Sequence, residues 1–177
     1  MTRSFKSMLC IIAGAFCALL EGCTTTSSNI GVYLDDEIQS IYGYCPTMEV
    51  DIIGLTDVEA KRLLTYDVDK YFNPPQAFRK SLGAVTIKFS ETDMTPRIVT
   101  KGSGAWDRWK DKGATAVGII ANLPMVIDKE DNAGPVDPRK LIINLDDGGS
   151  SRNIVIKGSG VIEVKRAPKA VNVIDIE

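Results

Sequence analysis

The 177-residue chain contains no histidine. That absence excludes a Ser-His-Asp triad, a Cys-His pair, a His-Glu-x-x-His zinc site and any acid–base scheme built on imidazole. Cysteine is scarce and unevenly placed. Cys10, Cys17 and Cys23 lie near the N-terminus, which leaves Cys45 alone in the remainder. A body with one thiol has no internal disulfide and relies on packing. Cys45 reads as a small buried apolar residue, because nothing beside it in sequence would lower its pKa. There is no basic surplus either: the formal net charge is −2, so nucleic acid is not an expected partner. Nor is any apolar run long enough to span a bilayer; the longest, Met8–Leu20, has the length of a signal-peptide core.

That run is informative for what surrounds it. Arg3 and Lys6 precede it, and Leu20-Glu21-Gly22-Cys23 closes it. The ending resembles the lipobox of bacterial lipoproteins, with an aliphatic residue, a variable one, a small one and then Cys. The resemblance implies cleavage between Gly22 and Cys23 and acylation of Cys23, which then holds the chain to membrane lipid. Several acyl chains, each burying many methylenes at about 0.8 kcal/mol apiece, anchor a protein without spanning the bilayer. Thr24 rather than Asp follows the Cys, which in that family favours the outer membrane with the folded part facing the periplasm. The expected organisation is a signal peptide over 1–22, a lipidated polar tether over 23–29 and one domain over 30–177. Loss of residues 1–22 removes two basic and one acidic side chain, moving the formal charge to −3.

The domain reads mostly as strands. Met48–Leu55 alternates apolar and charged residues through Met48, Val50 and Ile52, the period of a half-buried strand. Thr56 or Asp57 is a helix cap, followed by Val58, Leu63 and Leu64 at near-helical spacing, with Glu59 in the first turn. Pro74-Pro75 reads as a second helix start, with Phe78 and Leu82 one turn apart and Gly83 as the stop. Residues 56–83 therefore form a small helical insertion. Strands resume at Ala84–Phe89, Arg97–Thr100, Ala114–Ala121, Lys140–Leu145, Asn153–Lys157, Val161–Lys165 and Val171–Ile176, with Ile30–Leu34 as an opening strand. Ala114–Ala121 is nearly all apolar, which suits a central strand. Asp146-Asp-Gly-Gly-Ser-Ser is a hairpin turn. Seven to nine short strands with one helical patch predict a mainly β protein, a transthyretin- or immunoglobulin-like β-sandwich.

Several motifs invite chemistry and fail on inspection. Asp128–Gly134 is acidic, but an EF-hand counted from Asp128 would need Gly and Glu where Ala133 and Arg139 stand. It reads as a solvated loop, with a looser calcium site through Asp128, Glu130 and Asp131 as the alternative. Lys101-Gly-Ser-Gly104 and Lys157-Gly-Ser-Gly160 put Lys ahead of the glycines, unlike a phosphate-binding loop. Asp35-Asp36-Glu37 and Asp67/Asp69 have the composition of catalytic carboxylate pairs, but a glycosidase needs a cleft and a set separation. No cofactor, metal or catalytic residue is assigned. Trp106 and Trp109 would serve either as packing or as a sugar-stacking or partner-contact platform. Tyr71 and Phe72, with Tyr66 and Phe78, form either the insertion's own core or an exposed docking patch.

The order of lipobox, polar tether, opening strand, helical insertion and run of strands resembles the TssJ-type outer-membrane lipoproteins of type VI secretion systems. The likeness is carried by Met48–Leu55 as an early core strand, Ala105–Trp109 ahead of Ala114–Ala121, the strand exit Ala121-Asn-Leu-Pro124, and Val32-Tyr33-Leu34. It implies a transthyretin-like sandwich that holds the inner-membrane protein TssM at the outer membrane, and so a binding rather than an enzymatic role. The alternative is an envelope lipoprotein that binds carbohydrate or peptidoglycan through Trp106 and Trp109.

Overall fold

The computed structural model describes residues 27–124, 136–145, 151–170 and 172–177. The signal peptide, Cys23 with most of the tether, the acidic loop 128–134 and the turn through 146–150 lie outside the described residues.

Among the described residues nine strands form two sheets. The five-stranded sheet has the order β8 (Gly160–Val164), β7 (Ser151–Lys157), β1 (Asn29–Leu34), β4 (Arg97–Val99), β9 (Ile174–Ile176). The four-stranded sheet runs β3 (Val85–Phe89), β2 (Met48–Leu55), β5 (Ala116–Ala121), β6 (Lys140–Asn144). The first sheet is mixed: β1 is antiparallel to β4 but parallel to β7, and β4 is parallel to β9. The second is wholly antiparallel. The protein is therefore mainly β and a sandwich. Its main core lies between the sheets, where Ile30, Val32, Val50, Ile52, Ile119 and Ile154 interleave.

The Met48–Leu55 strand departs from its half-buried expectation. Met48, Val50 and Ile52 face the main core, yet Asp51, Ile53 and Leu55 on the opposite face are buried too. The cover is a layer of three helices between β2 and β3: α2 (Asp57–Thr65), α3 (Val68–Phe72) and α4 (Ala77–Leu82). It creates a second core from Ile53, Leu55, Leu63, Tyr71, Phe78 and Ile120. Ala114–Ala121 reads as near-continuous apolar for the same reason, since β5 is sandwiched on both faces.

Local chemistry explains the helix ends. Thr56 caps α2 in a capping box: its hydroxyl accepts from the Glu59 amide, while Glu59 accepts from the Thr56 amide. Asp67 caps α3 by accepting from the Lys70 amide at 2.8 Å. Gly83 ends α4 with φ of 63°, a conformation that favours glycine. Two expectations here are corrected. Within α2 only Leu63 of the three apolar positions is buried, and Val58 is 76% exposed, because it sits in the first turn away from the sheet. Pro74-Pro75 does not start a helix. The pair lies in the connection after α3, with Gln76 at positive φ before α4 begins. A helix with no sequence expectation, α1 (Glu37–Tyr42), follows β1; Asp36 at its N-cap makes no capping bond. The Ala105–Trp109 turn is the middle of a longer helix, α5 (Gly104–Asp111).

Candidate functional site

Trp106 and Trp109 sit one turn apart on α5 and point inward; they are 0% and 1% exposed. Their rings meet edge to face at 5.0 Å within the main core. Tyr71 and Phe72 on α3 are 1% and 7% exposed, and their rings also meet edge to face, at 5.0 Å. The reading of these four side chains as a contact platform is corrected: each is core, because its helix must bury an apolar face against a sheet. The sugar-stacking alternative loses its aromatic surface with them.

The carboxylates singled out in the sequence also have structural partners. Asp35 accepts from the Glu37 amide at the start of α1, Asp67 is a helix cap, and Asp69 pairs with Arg139 at 2.7 Å. The two Lys-Gly-Ser-Gly segments are unlike in structure. The first leads into α5, and the second is the hairpin turn joining β7 to β8. Among the described residues no group of three or more His, Cys, Asp or Glu side chains is placed to hold a metal ion.

The polar sites the structure does build join the helical layer to the sheet. Asp51, 0% exposed on the outer face of β2, takes Arg79 Nε at 2.6 Å and Arg79 Nη2 at 2.9 Å. The Tyr71 hydroxyl donates to it at 2.8 Å and the Thr86 hydroxyl at 2.7 Å. Arg79 reaches Glu49 at 2.7 Å as well, and its guanidinium lies over the Phe72 ring at 4.8 Å. The guanidinium is thus flanked by two carboxylates and two rings. Burial, followed by the Asp51 charge, pushes the Tyr71 hydroxyl well above its ordinary pKa. Its hydrogen bond to Arg79, and then that to Lys88, holds the Glu49 carboxyl below the usual range. On the far side of the layer, Lys140 Nζ donates to the carbonyls of Leu63, Leu64 and Tyr66 at 3.0, 2.7 and 2.7 Å. A buried ammonium therefore caps the C-terminal end of α2. Arg139 beside it pairs with Asp137 and Asp69. Apart from Arg139–Asp137, which are two positions apart, none of these partners was legible in the sequence, since the pairs span 20 to 77 positions.

A cleft of about 310 Å³ lies between α1, the loop before β4 and the segment before β9. Asp35, Asp36, Cys45, Met94 and Lys169 help to line it. Burial, reinforced by Glu91, pushes the Cys45 thiol up, away from reactivity.

No family profile and no curated protein sequence matches this chain. Solved structures do. One described as the type VI secretion protein TssM C-terminal domain (869–1107) from EAEC superposes with a TM-score of 0.53 at 12% identity, covering 78% of this chain and 100% of that one. A second, described as a type VI membrane complex, gives 0.51 at 13% identity, covering 78% of this chain and 97% of that one. The type VI lipoprotein TssJ1 from Pseudomonas aeruginosa gives 0.47 at 14% identity over 81% of this chain and 100% of its own; that superposition is too loose to add weight. At such identities the likeness is one of fold: this β-sandwich is shared with the TssM C-terminal domain and with the structure described as a type VI membrane complex, and a sandwich is the fold expected from the sequence.

Proposed function

We propose that this protein is a lipid-anchored docking subunit of a type VI secretion membrane complex, held by acylated Cys23 to the periplasmic face of the outer membrane. The observation that carries the reading is the fold, matched over 78% of the chain to one structure described as a TssM C-terminal domain and to one described as a type VI membrane complex. The lipobox ending at Cys23 supports the anchor. The partner on this reading is a TssM-like inner-membrane protein, bound through the domain's loops and outer surfaces, since Trp106, Trp109, Tyr71 and Phe72 are committed to the cores. The role is non-enzymatic: the sandwich, stapled to its helical layer by Asp51–Arg79 and Lys140, supplies a rigid body on a short leash.

The test is in two parts. The full chain, expressed in a Gram-negative host, is expected to yield a processed polypeptide beginning at Cys23 and carrying acyl chains by mass spectrometry. An unmodified Cys23, or trimming beyond it, would sink the anchor. The acylated protein is then titrated with the periplasmic domain of the TssM-type protein of the same bacterium. Saturable binding is expected, and its absence removes the docking assignment while leaving the anchor in place.

A further inference from the structure

We infer that one end of the five-stranded sheet is a contact surface for anionic lipid headgroups, set by the short reach of the chain from Cys23 to β1. The inference rests on the anchoring reading above. Asn29, the first residue of β1, lies six positions after Cys23. Fully extended, that length reaches about 20 Å, so the end of the sheet where β1 begins stays close to the leaflet.

Strand register identifies what shares that end. Asn29 is level with Ser151 of β7, and Gly31 with Asn153. Asn153 is in turn level with Val164 of β8, so Lys165 and Arg166 emerge from β8 beside the start of β1. On the other side Ile30 is level with Val99, so Lys101 follows β4 out at the same end, and its amide donates to the Asn29 side chain at 2.9 Å. Lys101, Lys165 and Arg166 are all exposed, and none has an ion-pair partner among the described residues. Of the carboxylates at this end among the described residues, Glu163 of β8 is already paired with Arg152 at 3.1 Å, and Glu177, which follows β9 out level with Asn29, is a single exposed carboxylate set against the three cations. At the opposite end of β1 the chain instead presents Asp35, Asp36 and Glu37.

Within a chain of net charge −2, three unpaired cations therefore stand at the end the tether holds nearest to the membrane. Basic side chains are attracted to an anionic surface only within about a Debye length, roughly 8 Å at physiological salt. A tether this short keeps them near that range, whereas a long linker would not. The consequence is a preferred orientation, with the β1 start against the headgroups and the α1 end turned away.

The experiment uses the full-length acylated protein in vesicles of phosphatidylcholine alone and of phosphatidylcholine with phosphatidylglycerol, read by amide hydrogen exchange. Exchange at Lys101–Gly102 and Lys165–Arg166 is expected to slow severalfold only when phosphatidylglycerol is present. The protection is expected to disappear at high salt, an arm that needs no mutation. It is also expected to disappear in a K101E/K165E/R166E variant whose circular dichroism matches the parent. Equal exchange in the two vesicle types, or protection centred on Asp35–Ile41, overturns the inference while leaving the anchor intact. An intact mass without acyl chains overturns both.

Discussion

Arg79 and Asp51 form a two-point pair across the seam between the helical layer and the sheet, Nε to Oδ2 at 2.6 Å and Nη2 to Oδ1 at 2.9 Å. A carboxylate so deeply buried is stable only while its donors remain. Replacing Arg79 by Met leaves it facing two hydroxyls and no charge. Breaking one partner of a buried pair typically costs about 3–5 kcal/mol. Arg79→Met is expected to lower urea-unfolding stability by that order, with Asp51→Asn similar. The double variant should fall well short of the sum, because the two side chains act as one unit. Additive losses would mean that the pair is not coupled.

A second prediction concerns the seam between α5 and β2. A Cβ on Gly54 would lie within 3.0 Å of the Cβ, Cγ and Cδ1 atoms of Trp109, close to the helix backbone where the ring cannot swing aside. Gly54→Ala should therefore destabilise by about 1–3 kcal/mol, the usual cost of overpacking. Gly102, where an added Cβ meets nothing within 4 Å, is the control and should be nearly neutral when changed to Ala. Thermal unfolding followed by near-ultraviolet circular dichroism reads both, since the Trp pair dominates that signal.

These two sites show what the sequence could and could not convey. The period of two in Met48, Val50 and Ile52 identified one buried face of β2, and those residues do face the main core. The same pattern made Asp51 look solvent-facing. A charged residue signals exposure only if nothing distant neutralises it, and Arg79 arrives from a helix 28 positions away. Thr56 and Glu59 were readable as a helix start because a capping box is contained in four residues. α1 was not, for its N-cap makes no side-chain bond. The Trp pair was visible as a pair with packing as one of its readings, and burial decides for packing; helical spacing alone places two rings on one face without saying which way that face turns.

Acid should loosen the helical layer in a defined direction. Three carboxylates on it or beside it have lowered pKa values. Glu49 is held down by Arg79. Burial raises Glu59 and Asp137, but hydrogen bonds from Thr56 and Lys112, and from Arg139, outweigh it. Their unperturbed values are 4.5, 4.5 and 3.8. A depressed folded-state pKa gives stability that is complete above the unfolded value and lost as pH falls through the folded one. Melting temperature should thus be level from neutrality to about pH 5 and fall progressively below it. Glu59→Gln, which keeps an acceptor for the Thr56 amide, should start lower and fall less steeply. An identical slope in this variant would remove Glu59 from the account.

The last prediction turns on Lys140, whose ammonium meets three carbonyls at the C-terminal end of α2, those of Leu63, Leu64 and Tyr66, of which Leu63 alone also accepts from a backbone amide, that of Tyr66. The last carbonyls of a helix need a partner from outside the helix, and here water has little access because Leu63 is buried. Lys140→Met preserves much of the stem's volume and its packing but removes every donor. Leaving a buried acceptor unsatisfied costs about 1–3 kcal/mol, so the loss should be at least of that order. It should also be local. Amide exchange is expected to quicken in α2 and α3, which Lys140 ties to β6, more than in β1 or β7 across the sandwich. The ordering follows from the architecture, since the helical layer has its own core and shares only the four-stranded sheet with the main one. Uniform quickening throughout the chain would instead show that the two cores unfold as one unit.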